Sequence, residues 1–346
     1  MLGARGSRLK AHGGGAWGLG LGAWGLGLDR TILLELMKKS LAAVVVLLAV
    51  GCVRPAVPVV PVAVLPSNIR VGTARGVVSV PLDDYVLATA LAEIGPAGES
   101  DETVARVFEV QSIITRTYAA GHLGRHADEG FDLCDATHCQ VYNPALVGAS
   151  RFSDAARTAV ARTRARVLTY SGRIAEALFH ADCGGHTADA GSVWGGARPP
   201  YLVGGPDDLP PNTHVAWELV VPMTRLSAAL ELDPRGNVGA HLESVAVQNR
   251  DGSGRAASVR LVGDRALTLR GEDFRAIVNR TLGDRAIRST LFSVSRDVQT
   301  FRFTGNGFGH GVGLCQVGAT ARARRGESVA EILGTYYPGT ALTQAR

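Results

Sequence analysis

Hydrophobic positions change period several times along this chain, and each change marks an element. The densest apolar run comes first, in MKKSLAAVVVLLAVGC (Met37 to Cys52): two lysines, then Leu41 to Val50 without a polar residue. About ten residues rising about 1.5 Å each fall short of a bilayer's apolar core of roughly 30 Å. A charged start, a short apolar run and Gly51-Cys52 at its end read instead as an export signal over residues 37–52. Upstream, AWGLGLG (Ala16–Gly22) is followed at once by the near-copy AWGLGLD (Ala23–Asp29), which has the period of neither helix nor strand. Residues 1–36 therefore read as an upstream extension that translation from Met37 would omit. Residues 53–67 are rich in proline and valine, an extended tether.

From Asn68 the pattern is that of a folded domain. Gly76–Val80 reads as a short strand and Leu82–Ala92 as a helix that stops at Glu93, because Gly95-Pro96 cannot continue it. Ser100, followed by Asp101 and Glu102, is a helix start, and that helix runs to about Ala120. Ser153 caps a further helix to about Thr163. Arg166–Tyr170 and Ile174–His180 flank Ser171-Gly172 as a hairpin. Beyond Trp217 strands dominate: Leu242–Asn249 and Ala257–Leu261 around a Gly-rich turn, then Ala266–Leu269, with a short helix at Phe274–Leu282. Ser328 and Glu331 form a capping box opening the last helix, to about Tyr336. Helices and hairpins are segregated, which predicts an α+β fold. The expected divisions are 68–215, a strand-rich segment 216–300, and a closing block 301–346.

Composition adds little to this picture. Apolar residues make up 46% and charged residues 19%, so a packed core is expected rather than disorder. The net charge of +5 is carried by scattered arginines. With no basic run, zinc-finger spacing or base-stacking motif, nucleic acid is excluded as a partner.

Five blocks carry the candidate chemistry: LAEIGP (Leu91–Pro96), VQSIITRTYA (Val110–Ala119), FHADCGGHT (Phe179–Thr187) with Trp194, GHGVGLCQVGA (Gly309–Ala319), and YYPGT (Tyr336–Thr340). Glu93 ends an apolar stretch that would raise its pKa by desolvation, although position alone is equally that of a helix-end surface acid. Arg116 reads as a sugar ligand or as a helix-flank salt bridge, and Trp194 as a stacking platform or a core residue. The glycines around His186 and His310 permit close backbone approach, suited to the floor of a sugar site. Cys134, His138 and Cys139 lie within six residues, with His126 upstream and His122 competing for the same place. Two thiolates and two imidazoles suit a tetrahedral zinc ion; a Cys134–Cys139 disulfide is the rival reading.

In order and spacing these blocks resemble the SpoIID/LytB family of sporulation and cell-wall lytic proteins, over about Asn68 to Leu342. The resemblance implies a peptidoglycan lytic transglycosylase. Such an enzyme cuts the MurNAc–GlcNAc bond with the muramic 6-hydroxyl as nucleophile, leaving a 1,6-anhydro end. It needs one carboxyl that is first acid and then base, where a hydrolase would use two. The matching carboxyl is Glu93. Arg116, Tyr118, Gly184, Gly185, Thr187, Trp194, His310 and Gln316 fall where substrate contacts are implied. His126, Cys134, His138 and Cys139 match a loop in which some members carry structural zinc. Cys183 and Cys315 stand where other members often have serine, inside blocks expected to converge, so a disulfide between them is expected. The residues after Glu93 depart from the family's usual Met-Pro: Ile94-Gly95-Pro96 inserts one residue into the turn. The leader resembles a lipoprotein signal with Cys52 as the lipidated residue, implying an extracytoplasmic, lipid-anchored protein. Glycan strands are the implied partner. A cell-wall amidase is the other, since some relatives are amidase enhancers that bind without cutting.

Overall fold

The computed structural model describes residues 64–210 and 213–346. The extension 1–36, the signal segment 37–52 with Cys52, and the tether through residue 63 lie outside the described residues. No helix among the described residues is long and apolar enough to cross a membrane.

The helix Asp101–Gly121 is the axis of the larger part. Ser100 caps it by accepting from the Thr103 N–H at 3.3 Å, and Asp101 and Glu102 sit in its first turn, where the exposed N–H groups and dipole favour acids. Phe108 and Val104 of this helix pack with the helix Leu82–Glu93 and with Ala156 and Val160 of the helix Ser153–Arg162. Val107, Ile113 and Ile114 turn to a second core. That core is completed from the far end of the chain by Val312, Leu314, Ile332 and Tyr337. The chain is thus α+β, with the 301–346 block packed into the first half.

Small sheets bind these parts. Asn68–Thr73 pairs antiparallel with Gly76–Pro81 and parallel with Leu133–Cys134. Arg166–Tyr170 pairs with Arg173–Ile174 through the turn at Ser171 (φ 47°) and Gly172 (φ 77°), and on its other edge with Ala341–Gln344. Two consecutive positive φ angles make the tight turn that matches strand twist. Leu314–Cys315 pairs parallel with Phe179–His180.

A further core runs from Trp217 to Phe303. The sheet Leu242–Arg250, Ala256–Gly263 and Ala266–Arg270 lies within it, together with Ala216–Pro222, Thr300–Asn306 and Phe292–Arg296 as a second sheet. Two helices, Met223–Glu231 and Gly271–Leu282, complete it.

Some local expectations shift. The strand expected over Ile174–His180 is two short strands, because after Ile174 the chain leaves the hairpin, and Phe179 and His180 take a parallel partner. Ser153 lies one residue inside its helix, and its hydroxyl donates to the Ser150 carbonyl at 2.8 Å instead of capping.

Arg116, expected among the sugar ligands, is instead a fully buried tie between elements. Its Nη1 donates to the carbonyls of Thr163 (2.9 Å) and Arg166 (3.3 Å), and its Nη2 donates to Asp83 Oδ1 (3.2 Å). Those groups end one helix, start a strand and start the Glu93 helix. Removing the guanidinium strands buried carbonyls and leaves Asp83 only its longer pair with Arg164, at 3.5 Å. Arg116→Met is expected to lower unfolding free energy by roughly 2–4 kcal/mol, read as a fall in the urea midpoint at unchanged slope.

Candidate functional site

Glu93 is the last residue of the helix Leu82–Glu93, and Ile94 leaves the helix in extended conformation (φ −132°, ψ 147°). Glu93 Oε1 accepts the Val141 N–H at 2.7 Å. Burial pushes the Glu93 carboxyl above its ordinary pKa, and the Val141 bond offsets this only in part. With one oxygen engaged by an amide, the other is the place for a proton.

The carboxyl lines a cavity of about 580 Å3. Ile94, Gly95, Pro96 and Ala97 line it too, so the inserted turn after Glu93 is itself cavity wall. The rest of the lining includes Glu99, Ala181, Thr213, Gln316, Val317 and Arg324. Gln316 is thus brought to Glu93's cavity as expected. Its Nε2 donates to Gln111 Oε1 at 3.2 Å, and Gln111 Nε2 in turn donates to Thr115 Oγ1 at 3.2 Å, which fixes both amides.

From the sequence Glu99 reads only as a solvated acid at a helix start, and Arg324 carries no signal. The Arg324 guanidinium forks onto both Glu99 oxygens, with Nε at 3.0 Å, and holds that carboxyl below its ordinary pKa. Two acids on one cavity therefore have environments that push them in opposite directions, the usual mark of divided roles.

The remaining expected substrate residues do not line this cavity. Tyr118 is buried, its ring stacked on His122 and its hydroxyl accepting from Arg125 Nη1 at 3.2 Å. Thr187 exchanges hydrogen bonds with the backbone of Gly205, in which its Oγ1 donates to the carbonyl and accepts from the N–H, both at 3.1 Å. Trp194 is 41% exposed and stands 5.1 Å from the His310 ring, which is 5.5 Å from His180. Those three aromatic rings form a separate group. Burial holds His310 down at about 3, and His180 is also lowered by burial, so both are neutral at neutral pH.

The glycines serve a different end from the one expected. Gly311 (φ 86°) lies against the buried Arg255 guanidinium, where an added Cβ would fall 2.4 Å from Nε; at Gly313 (φ 71°) it would fall 2.0 Å from the Leu178 carbonyl. At Gly184 (φ 73°) it would meet Leu291 at 2.8 Å, whereas Gly185 (φ 103°) has only His214 nearby, at 3.8 Å. Three of the four are needed because protein packs on them, so they make no open floor for a sugar.

The Cys/His loop assembles as the zinc reading requires. Ligand-capable atoms of His126, Cys134, His138 and Cys139 all lie within 4.8 Å of one another. Cys139 Sγ is 3.4 Å from His126 Nε2 and 3.8 Å from His138 Nδ1, which is also 3.8 Å from Cys134 Sγ. Both cysteines are free thiols rather than a disulfide. His126 Nδ1 meets Glu129 Oε1 at 2.5 Å, the carboxylate partner that orients a metal-binding imidazole. His122 is not part of the group; its Nδ1 pairs with the Tyr118 carbonyl at 2.9 Å. The two soft sulfurs and two imidazoles fit a tetrahedral zinc-class ion. Cys183 and Cys315 are also free thiols and neighbours, with the Cys183 N–H donating to Cys315 Sγ at 3.2 Å.

Comparison with known proteins agrees with the motif blocks. Residues 71–170 match the SpoIID family model, described as stage II sporulation protein, and residues 213–313 match a domain of unknown function. An uncharacterized protein of Brachyspira hyodysenteriae is 31% identical over 263 residues, covering 75% of this chain and 65% of that protein. The amidase enhancer of Bacillus subtilis is 25% identical over 281 residues, 68% of this chain and 38% of its own length. The chain therefore spans just under two thirds of the first of these relatives and well under half of the second. Stage II sporulation protein D of Bacillus subtilis is 28% identical over 282 residues, 78% of this chain and 77% of that protein. With its motif blocks folded together and matched in this way, the chain carries a SpoIID domain over residues 71–170 and is similar along most of its length to SpoIID/LytB proteins.

Proposed function

We propose that this protein is a peptidoglycan lytic transglycosylase with Glu93 as its sole acid/base. The observation that carries this reading is the desolvated Glu93 carboxyl on the cavity wall, with one oxygen occupied by the Val141 N–H. Protonated, Glu93 donates to the glycosidic oxygen as the C1–O4 bond breaks. The resulting carboxylate takes the proton of the muramic 6-hydroxyl as O6 bonds to C1. Atoms balance without water, and the carboxyl ends protonated as it began. Glu99 fits a one-carboxyl scheme, since Arg324 forks onto both of its oxygens and lowers its pKa, which makes it a poor base for activating water. Neutral His310 and His180 offer no competing acid.

His126, Cys134, His138 and Cys139 would hold zinc as a structural ion, whose bound form supplies a rigid loop rather than chemistry. That loop carries Val141, two residues beyond Cys139, and hence the bond to Glu93. Tethered by lipid at Cys52, the protein would work on the wall from the membrane surface outside the cytoplasm.

The amidase enhancer relative favours a second reading, in which the protein binds glycan and stimulates an N-acetylmuramoyl-L-alanine amidase without cutting. Glu93→Gln separates the two. Under the first reading it lowers release of 1,6-anhydro-muramoyl products from denuded or peptide-bearing strands by at least about 100-fold, measured by mass spectrometry. Unchanged product release sinks the first reading, and stimulation of an amidase surviving the substitution would establish the second.

The raised Glu93 pKa has a definite sign for stability. A carboxyl whose folded pKa lies above its unfolded value costs nothing when both states are protonated, and destabilises the fold as pH rises through the folded value. Glu93→Gln should therefore match wild type in acid and exceed it in urea midpoint near neutrality. The turnover rate should fall over the same rising limb as the acid form is lost.

The metal reading predicts that Cys134→Ser/Cys139→Ser loses one zinc equivalent. Its thermal midpoint should fall by more than about 5 °C, read by calorimetry beside metal analysis.

A further inference from the structure

Cys183 and Cys315 are the least explained buried groups in the molecule. We propose that they form, with His214, a second metal centre for a thiophilic divalent cation of the zinc class, oriented by Asp182 and seated under the cavity wall.

Ligand-capable atoms of Asp182, Cys183, His214 and Cys315 lie within 4.8 Å of one another, and they come from three segments far apart in sequence. Both cysteines are fully buried. Their sulfurs are met by backbone amides: Cys315 Sγ accepts from the N–H of Cys183 (3.2 Å) and Gly318 (3.3 Å), and Cys183 Sγ from that of Gly185 (3.4 Å). Cys315 is also the N-cap of the helix Gln316–Arg324, where the first-turn N–H groups point at its sulfur. Amides aimed at sulfur are donors suited to a charged ligand.

The histidine is prepared in the same sense. His214 Nδ1 meets Asp182 Oδ1 at 2.5 Å, and its Nε2 is buried with no partner among the described residues. Asp182 is itself held by the N–H groups of Gly184 and Val215, each at 2.9 Å. A carboxylate bound to one ring nitrogen fixes the tautomer that presents a lone pair on the other. Asp182, with both oxygens engaged, orients and does not ligate.

The charges also balance. Asp207, 3.4 Å from Cys183 Sγ, is paired with Arg322 (2.8 Å) and the Tyr336 hydroxyl (2.9 Å). A divalent ion replaces two thiol protons, which leave to solvent, so the site's net charge is unchanged. Three protein donors leave the fourth tetrahedral position for water.

Position gives the site its consequence. Ala181, Thr213, Gln316 and Val317, each within two residues of a proposed ligand, line the cavity. A bound ion would hold three separate pieces of that wall in register. This inference stands apart from the assignment of activity, and its test reads metal rather than turnover.

The test is elemental analysis and thiol titration of the full chain purified without added metal, for wild type and two double variants. Two zinc equivalents in wild type, and one each in Cys183→Ser/Cys315→Ser and in Cys134→Ser/Cys139→Ser, are expected. Cobalt loaded into Cys134→Ser/Cys139→Ser should give a thiolate-to-cobalt charge-transfer band, and adding Asp182→Asn should weaken cobalt affinity about 10–100-fold. One equivalent in wild type with Cys183 and Cys315 recovered as a disulfide overturns the proposal. So does absence of thiolate-bound cobalt in Cys134→Ser/Cys139→Ser, whether or not Cys183→Ser/Cys315→Ser folds.

Discussion

A single hydrogen bond, from the Val141 N–H to Glu93 Oε1 at 2.7 Å, joins the parts on which the candidate site depends. Glu93 ends its helix because Gly95-Pro96 follows, so the carboxyl lies where a helix gives way to a wall-forming turn. Burial raises its pKa, and the negative end of the helix dipole acts in the same direction. A fully unpartnered carboxyl there would be free to rotate, while one with two donors would be held ionised. One amide orients the group and still leaves it able to carry a proton. That amide lies two residues beyond Cys139, so the orientation of the Glu93 carboxyl is set by the Cys/His loop.

The cavity's other walls come from distant parts of the chain. Ala181 belongs to the CGGH block, Thr213 to the approach to the strand-rich core, and Gln316 and Val317 to the closing block. Backbone pairing brings them together: Leu314–Cys315 lies parallel to Phe179–His180, and the N–H of Val317 donates to the Ala181 carbonyl at 3.0 Å. Gly311 and Gly313 permit this convergence by letting Arg255 and Leu178 approach closer than any side chain would allow. The dense glycine motif is therefore a packing device, and the cavity-lining Gln316 and Val317 sit just beyond it.

Elements defined by local rules were legible in the sequence. Ser100 with its two acids, the Ser328–Glu331 box and the Ser171-Gly172 turn all act within four residues, and their geometry follows from residue type. The Cys/His quartet was legible because three of its members share one short loop. Arg116 stayed open between sugar ligand and salt bridge because its partners, Asp83, Thr163 and Arg166, are remote, and nothing local distinguishes a buried arginine from an exposed one. The Glu99–Arg324 pair was invisible for the same reason, being separated by 225 residues. Asn68–Thr73 was missed because NIRVGT has only two fully buried positions and is a strand through its pairing partners.

The two thiol clusters occupy equivalent mechanical positions. Leu133–Cys134 and Leu314–Cys315 are strands of two residues each, both paired parallel and both ending in a cysteine of a cluster. Parallel pairing is the weaker kind per residue, and two residues provide too few bonds to hold a register by themselves. One strand leads into the loop that supports Glu93, and the other leads into the wall carrying Gln316. Compact cross-links between side chains solve the same problem at a point. The donors gathered there, sulfur and imidazole in each case, suit an ion that holds several segments at once. On this argument the thin sheets and the clusters belong together: where backbone pairing is shortest beside the cavity, an ion bound by these side chains would supply the missing restraint.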